Sequence, residues 1–213
     1  MDLGNGFQFG HPSTSILNSD KGKNFSANNL GQRKKSDAYF TPYSLTSQFL
    51  DVANIPKEYK ILEPACGNGA ITKVLMENGY TDIVSYDKEK DFLSEPKINY
   101  FDYILTNPPF SLAQEFILQA KRVAKIGFSF LLPLSYLHGK KRYDEIWTDT
   151  IFPLSEIHVF TRYPMLGESL RSDGCYSTGM LVYAWFTFIR GYEGKPEINW
   201  IDNNSYVVGK KDK

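Results

Sequence analysis

Two stretches of this chain, and two single residues, have types and spacings suited to chemistry. The first stretch is Asn107-Pro108-Pro109-Phe110, placed directly after the apolar run Tyr103-Ile104-Leu105-Thr106. It offers one amide side chain, one main-chain carbonyl and one aromatic face. The second is Glu63-Pro64-Ala65-Cys66-Gly67-Asn68-Gly69, an acid followed by a glycine-rich turn. Asp87 stands alone at the end of an apolar run, and Thr41 stands before Pro42 at the start of a helical pattern.

The amide, carbonyl and ring suit the activation of an amino group conjugated to a ring. The lone pair of such a nitrogen is delocalised, which makes it a poor nucleophile. Two acceptors that take its two N–H bonds localise that lone pair toward an electrophile, and they stabilise the positive charge that develops. Asn107 Oδ1 and the Pro108 carbonyl are candidates for those acceptors. Asn107 is neutral, so it accepts a hydrogen bond and does not abstract a proton. Phe110 would stack on the base, a contact worth roughly 1–3 kcal/mol. Glu63 with Gly67 and Gly69 suits a zwitterionic, cationic ligand better than a pyrophosphate. No Gly-Lys-Ser/Thr follows, and position 72 is Thr where a full G-x-G-x-x-G needs Gly.

These groups need rigid elements to hold them. Ile104 and Leu105 are strand formers, and the two prolines stop the ladder because neither has an N–H. Each residue before a proline is held extended, so the corner is stiff. In open α/β sheets ligands sit at the C-terminal ends of strands. A second short strand is expected to end at Glu63, with a helix after the turn that buries Ile71, Val74 and Leu75. A third strand, 82–86, ends at Asp87, roughly 20 residues past the glycines, where a carboxylate suits ribose hydroxyls. Little room remains before the strand near Tyr100, which predicts a sheet trimmed at one edge.

Thr41 reads as an N-cap and Pro42 as the first helical residue of a helix over 43–52, with Leu45, Phe49 and Val52 facing the core. Beyond the Pro-Pro corner, a helix over 111–125 carries the stripe Leu112, Phe116, Ile117, Ala120 and Val123. Strands follow at 127–132, 157–161 and 178–190. The loop over 162–177 is long, and Lys140-Lys141-Arg142 form a candidate phosphate patch. Residues 1–36 are polar and rich in Gly, Asn and Ser, and read as a flexible arm ending near Arg33-Lys34-Lys35. The domain is expected over 37–202, with a polar tail over 203–213.

Composition narrows the class. The 213 residues are enough for one substantial core, and 42% hydrophobic with 15% aromatic content fits a globular domain. The 24 basic and 24 acidic residues balance, so any nucleic-acid contact must use local patches. Two cysteines, Cys66 and Cys175, make neither a disulfide framework nor a zinc site by themselves, which fits a cytoplasmic, reducing setting. No apolar run reaches membrane-spanning length, and no metal is implied.

With these residues in place, the chain resembles the class I S-adenosylmethionine-dependent methyltransferases. More narrowly, it is similar to the adenine-N6 DNA methyltransferases, whose catalytic loop reads Asn/Asp-Pro-Pro-aromatic. The order of segments, Tyr39-Phe40-Thr41-Pro42, then the glycine loop, then the Pro-Pro loop, resembles the gamma arrangement. The resemblance implies an α/β Rossmann-like sheet, mostly parallel, closed by a C-terminal antiparallel hairpin. It implies Asn107, Pro108, Pro109 and Phe110 as catalytic. It implies that Phe40, Thr41 and Pro42 hold the methionine carboxylate, while Glu63, Ala65, Gly67 and Gly69 line the amino-acid end. Asp87 would take the ribose hydroxyls, with Asp91 on the adenine amino group and Phe92 beside the ring. DNA is the implied partner, its target adenine flipped out of the stack, and Tyr163 a second aromatic wall. Relatives of this type usually carry a target-recognition domain, which this chain does not show. That economy is similar to small phage and prophage forms, and leaves specificity to the arm, the 162–177 loop, a partner or a second copy. The same chemistry on RNA bases or a glutamine amide, and a catalytically silent subunit, are the alternatives.

Overall fold

The computed structural model describes residues 41–86, 91–161 and 182–202. The polar arm with Arg33-Lys34-Lys35, Phe40, Asp87, the 162–177 loop with Tyr163, and the tail over 203–213 lie outside the described residues. The chain divides into units Met1–Lys35 and Ser36–Lys213, and all the described residues belong to the second.

The elements in order are α1 (Tyr43–Val52), β1 (Ile61–Glu63), α2 (Ala70–Glu77), β2 (Ile83–Ser85), β3 (Phe101–Thr106), α3 (Ala113–Val123), β4 (Ala124–Pro133), β5 (Leu154–Phe160), β6 (Tyr183–Ile189) and β7 (Glu197–Ile201). The strands form one seven-stranded sheet ordered β2-β1-β3-β4-β6-β5-β7. β2, β1, β3 and β4 run parallel, β6 is antiparallel to both β4 and β5, and β7 is parallel to β5. β2 is therefore an outer strand, as the short spacing before Tyr100 predicts. β7 at the other edge is not expected from the sequence. Most of its side chains are exposed, Trp200 to 68%.

Period-two alternation sorts the strand side chains onto two cores. Tyr103, Leu105, Leu131 and Trp185 meet Leu45 and Phe49 of α1, and Ile71, Val74 and Leu75 of α2. Ile104, Phe128, Phe130, Phe186 and Phe188 meet Phe116, Ile117 and Ala120 of α3 on the opposite face. Three buried hydroxyls of β3, β4 and β6 form a chain. The Tyr103 hydroxyl lies 2.6 Å from Ser129 Oγ, which lies 2.8 Å from Thr187 Oγ1. Asp102 caps the base of the sheet by accepting from the Lys60 N–H and from Lys125 Nζ, each at 2.9 Å.

Three details correct the sequence reading. Helix α1 begins at Tyr43 with Pro42 at its cap position and no side-chain cap, so Thr41 is not an N-cap. Its hydroxyl accepts from the Asn107 side chain instead. Val52 is exposed because it is the last residue of α1. Leu112 is exposed too, since the chain makes a tight turn over Phe110–Leu112 and α3 starts only at Ala113.

Candidate active site

The parallel strands β1, β3 and β4 end at Glu63, Thr106 and Pro133, so the segments that follow all leave the same edge of the sheet. β6 enters at that edge, because Tyr183 pairs with Pro133. The register Leu62↔Ile104 sets Glu63 and the Asn107 corner on neighbouring strand ends.

After β1 the chain turns sharply. Gly67 and Gly69 have φ of 52° and 75°, the left-handed region that glycine enters without strain. A Cβ at either position would meet nothing within 4 Å, so open space lies above this turn. Hydrogen bonds fasten it, from Gly69 N–H to the Cys66 carbonyl at 2.7 Å and from Cys66 N–H to the Tyr86 carbonyl at 2.9 Å. Ala65 is half-buried and packs on the α3-side core.

Glu63 is 1% exposed. Its carboxylate accepts from the Thr72 hydroxyl of α2, and Thr72 Oγ1 lies 2.7 Å from Ser85 Oγ at the end of β2. Burial pushes the Glu63 carboxyl up to about 7, against the pull of the Thr72 hydroxyl and main chain toward the ionised form. A buried acid held near neutrality thus stands beside an open glycine turn.

Two acceptors of the Pro-Pro corner have no donor among the described residues. Asn107 Nδ2 donates to Thr41 Oγ1 at 3.0 Å, while Asn107 Oδ1 is buried and has no hydrogen-bond partner among the described residues. The Pro109 carbonyl accepts from the Leu112 N–H at 2.9 Å. The Pro108 carbonyl has no donor among the described residues. Phe110 is half-buried, its ring centroid 5.6 Å from that of Tyr183 at 33°. The corner thus presents two unmet acceptors beside a braced aromatic ring.

Asp91 and Phe92 have other work. Asp91 caps a tight turn, accepting from the Leu93 N–H and the Ser94 hydroxyl, each at 2.9 Å. Phe92 is 1% exposed and packs on Phe116 with ring centroids 5.1 Å apart, so its ring has no open face for a ligand. Gln119 Nε2 of α3 holds this turn through the Phe92 and Glu95 carbonyls, at 3.2 and 2.9 Å. Tyr86, just before Asp87, donates to Glu95 Oε2 at 2.5 Å. In the candidate phosphate patch, Lys140 pairs with Asp144, and Arg142 donates to the His138 carbonyl, so two of the three side chains are engaged locally.

The chain is 31% identical over 83 residues to the type II methyltransferases M.HincII and M.HindII of Haemophilus influenzae. Each match spans 34% of this chain and 16% of the relative's length. No family profile matches the chain. Among solved structures, it superposes on a protein from Listeria monocytogenes assigned to the class I S-adenosylmethionine-dependent methyltransferases. The TM-score is 0.54 at 15% identity, over 78% of this chain and 66% of that one. A protein from Vibrio vulnificus YJ016 assigned as the modification subunit of a type I restriction enzyme gives 0.54 at 16% identity, over 81% and 49%. The M protein of the type I restriction enzyme EcoKI gives 0.51 at 14% identity, over 75% and 45%.

The fold is that of the class I methyltransferases.

Three residues at this edge of the methyltransferase fold escape a reading of the sequence. Thr72 holds Glu63, Ser85 backs Thr72, and Tyr183 braces Phe110. In the sequence, Thr72 stands out only as a departure from a glycine pattern. Tyr183 lies inside an expected strand whose register the sequence does not set. Among the described residues no group of three metal-ligating side chains comes together, and no helix is long and apolar enough to cross a membrane.

Proposed function

We propose that this chain is an S-adenosylmethionine-dependent methyltransferase acting on the N6 amino group of adenine in DNA. The observation that carries the reading is the buried, unpartnered Asn107 Oδ1 at the end of β3, beside the unmet Pro108 carbonyl. An orphaned buried acceptor costs about 1–3 kcal/mol. A substrate that brings an N–H donor relieves that cost.

The residues at the glycine turn fit the cofactor. Glu63 is a buried acid suited to a cationic amino group, and Gly67 and Gly69 leave open space for close backbone approach. The N-terminus of α1, which follows Pro42, suits the methionine carboxylate through its main-chain N–H groups, while the Thr41 side chain is engaged by Asn107. Bound there, S-adenosylmethionine supplies an electrophilic methyl group. Phe40 and Asp87 enter the proposal from the sequence, as a neighbour of Thr41 and as the acceptor for ribose hydroxyls. Asp91 retains lone pairs after capping its turn and can accept from the cofactor's adenine amino group. Phe92 is left out, because its ring lies in the core.

The target adenine leaves the stack at a cost of a few kcal/mol and lies on Phe110. Asn107 Oδ1 and the Pro108 carbonyl take its two amino N–H bonds and turn the nitrogen lone pair toward the methyl group. Both acceptors bind more strongly as the nitrogen becomes positive, which is where catalysis gains. The excess proton leaves to solvent, since Asn107 cannot hold it. DNA is favoured over RNA or protein by the 31% identity to two type II methyltransferases. A role in restriction–modification, and a specificity partner or second copy that selects the site, belong to the same proposal.

The test is transfer of radiolabelled methyl from S-adenosylmethionine to DNA, RNA and protein pools, with hydrolysed products resolved by mass. Label in N6-methyladenine from DNA is the expected result. Label confined to RNA or protein would move the substrate, and no label in any pool would refute the reading.

A further inference from the structure

We propose that Thr41 is a positioning residue that sets which end of the Asn107 carboxamide faces the substrate. The inference rests on the methyl-transfer reading and deepens it. A carboxamide is chemically two-sided, with an acceptor on one arm and two donors on the other. Only the acceptor arm can take an N–H bond from an amino group. The donor arm would meet that group N–H to N–H and make no bond.

Thr41 and Asn107 are 66 residues apart, and rigid elements bring them together. Asn107 leaves the end of β3. Thr41 precedes α1, which is fastened to the sheet where Trp185 Nε1 donates to the Leu45 carbonyl at 3.3 Å. Phe49 of α1 also stacks on Trp185 with ring centroids 4.7 Å apart. Thr41 is 8% exposed, and its Oγ1 accepts from Asn107 Nδ2 at 3.0 Å. That bond turns Oδ1 away from Thr41 and leaves it unpartnered. In the reverse orientation the Thr41 hydroxyl would donate to Oδ1 and both amide N–H groups would face the N–H bonds of the amino group, with no bond to make. A threonine hydroxyl thus assigns the acceptor arm of Asn107 to the substrate before the substrate arrives.

The experiment compares wild type, Thr41→Val, Thr41→Ser and Asn107→Asp, and Thr41→Val combined with Asn107→Asp. Rates are read in single turnovers with enzyme in excess. Affinity for S-adenosylhomocysteine is read by calorimetry. Valine keeps the shape of threonine and loses the acceptor. The expected result is a rate loss of about tenfold for Thr41→Val, as for one neutral hydrogen bond, with cofactor-product affinity changed less than about twofold. Serine restores the rate. Thr41→Ala, which only removes atoms, carries the same expectation should valine lower the folding yield. In the Asn107→Asp background both side-chain oxygens are acceptors, so Thr41→Val costs less than about twofold there. Equal losses in both backgrounds overturn the proposal. So does an unchanged rate in Thr41→Val, or a loss of S-adenosylhomocysteine affinity that accounts for the rate. Full transfer by Asn107→Ala would instead sink the underlying reading, whatever Thr41 does.

Discussion

The Thr72 hydroxyl of α2 donates to the Glu63 carboxylate at the end of β1, and Ser85 stands behind it on β2. Burial and this hydrogen bond oppose each other, and burial wins, so Glu63 titrates at about 7. A bound cation favours the ionised form. Affinity for S-adenosylmethionine should therefore rise as pH climbs from 6 through 7 and level off toward 8. Calorimetric titrations across that range check this, and Glu63→Gln should flatten the profile. Thr72→Val removes a donor that favours the carboxylate, so the midpoint should move up.

The same residue makes a stability prediction of definite sign. The folded-state pKa of Glu63, about 7, lies above its ordinary 4.5, so between those values the folded protein holds a proton that the unfolded chain has released. Stability then falls as pH rises through this window and levels off above it. The shift corresponds to about 3 kcal/mol at roughly 1.4 kcal/mol per unit. Glu63→Gln should thus raise the melting temperature of the ligand-free protein more at pH 8 than at pH 5. An equal effect at both would contradict the burial argument.

Phe110 leans on Tyr183 at 5.6 Å, so the ring is held before any base arrives. Phe110→Ala should weaken DNA binding by roughly 1–3 kcal/mol, about fivefold to 150-fold, with little change in cofactor affinity. Phe110→Tyr and Phe110→Trp should retain most of the binding. Fluorescence anisotropy with labelled duplexes reads the difference.

Gly127 of β4 and Gly69 of the turn are glycines for different reasons. A Cβ at Gly127 would lie 2.7 Å from Ile189 Cδ1, 2.8 Å from the Phe188 carbonyl and 2.9 Å from the Tyr103 ring. Gly127→Ala should cost about 1–3 kcal/mol by overpacking. Gly69→Ala meets no neighbour and should cost about 1–2 kcal/mol from its positive φ alone. Gly69→Asn, which tolerates that φ, should recover part of the loss, while Gly127→Asn should not. Thermal melts distinguish the two.

The parts of this architecture that local sequence can write are legible in it. The Pro-Pro corner, the two turn glycines, the apolar stripes of α2 and most of α3, and the missing strand before Tyr100 all arise from neighbours within a few residues. The parts made by distant meetings are not. Thr41 looks like a helix cap, because nothing near it in sequence reveals that Asn107 takes its hydroxyl. Phe92 looks like a ligand contact, because α3 must fold before Phe116 can cover it. β7 escapes notice because it is a short edge strand just past Gly194 and Pro196, and its pairing with β5 supplies the order. Tyr183 shows the same limit, since only the register with Pro133 brings it to Phe110.

The most direct test of the central claim is the single-turnover rate of methyl transfer to DNA adenine by Asn107→Ala. The variant should still bind S-adenosylhomocysteine as wild type does, since Glu63, Gly67 and Gly69 are untouched. Its rate should fall by at least about a hundredfold, the scale of one lost preorganised group in a transition state. A rate within about threefold of wild type, with cofactor affinity intact, would contradict the assignment of Asn107 as the acceptor that activates the amino group.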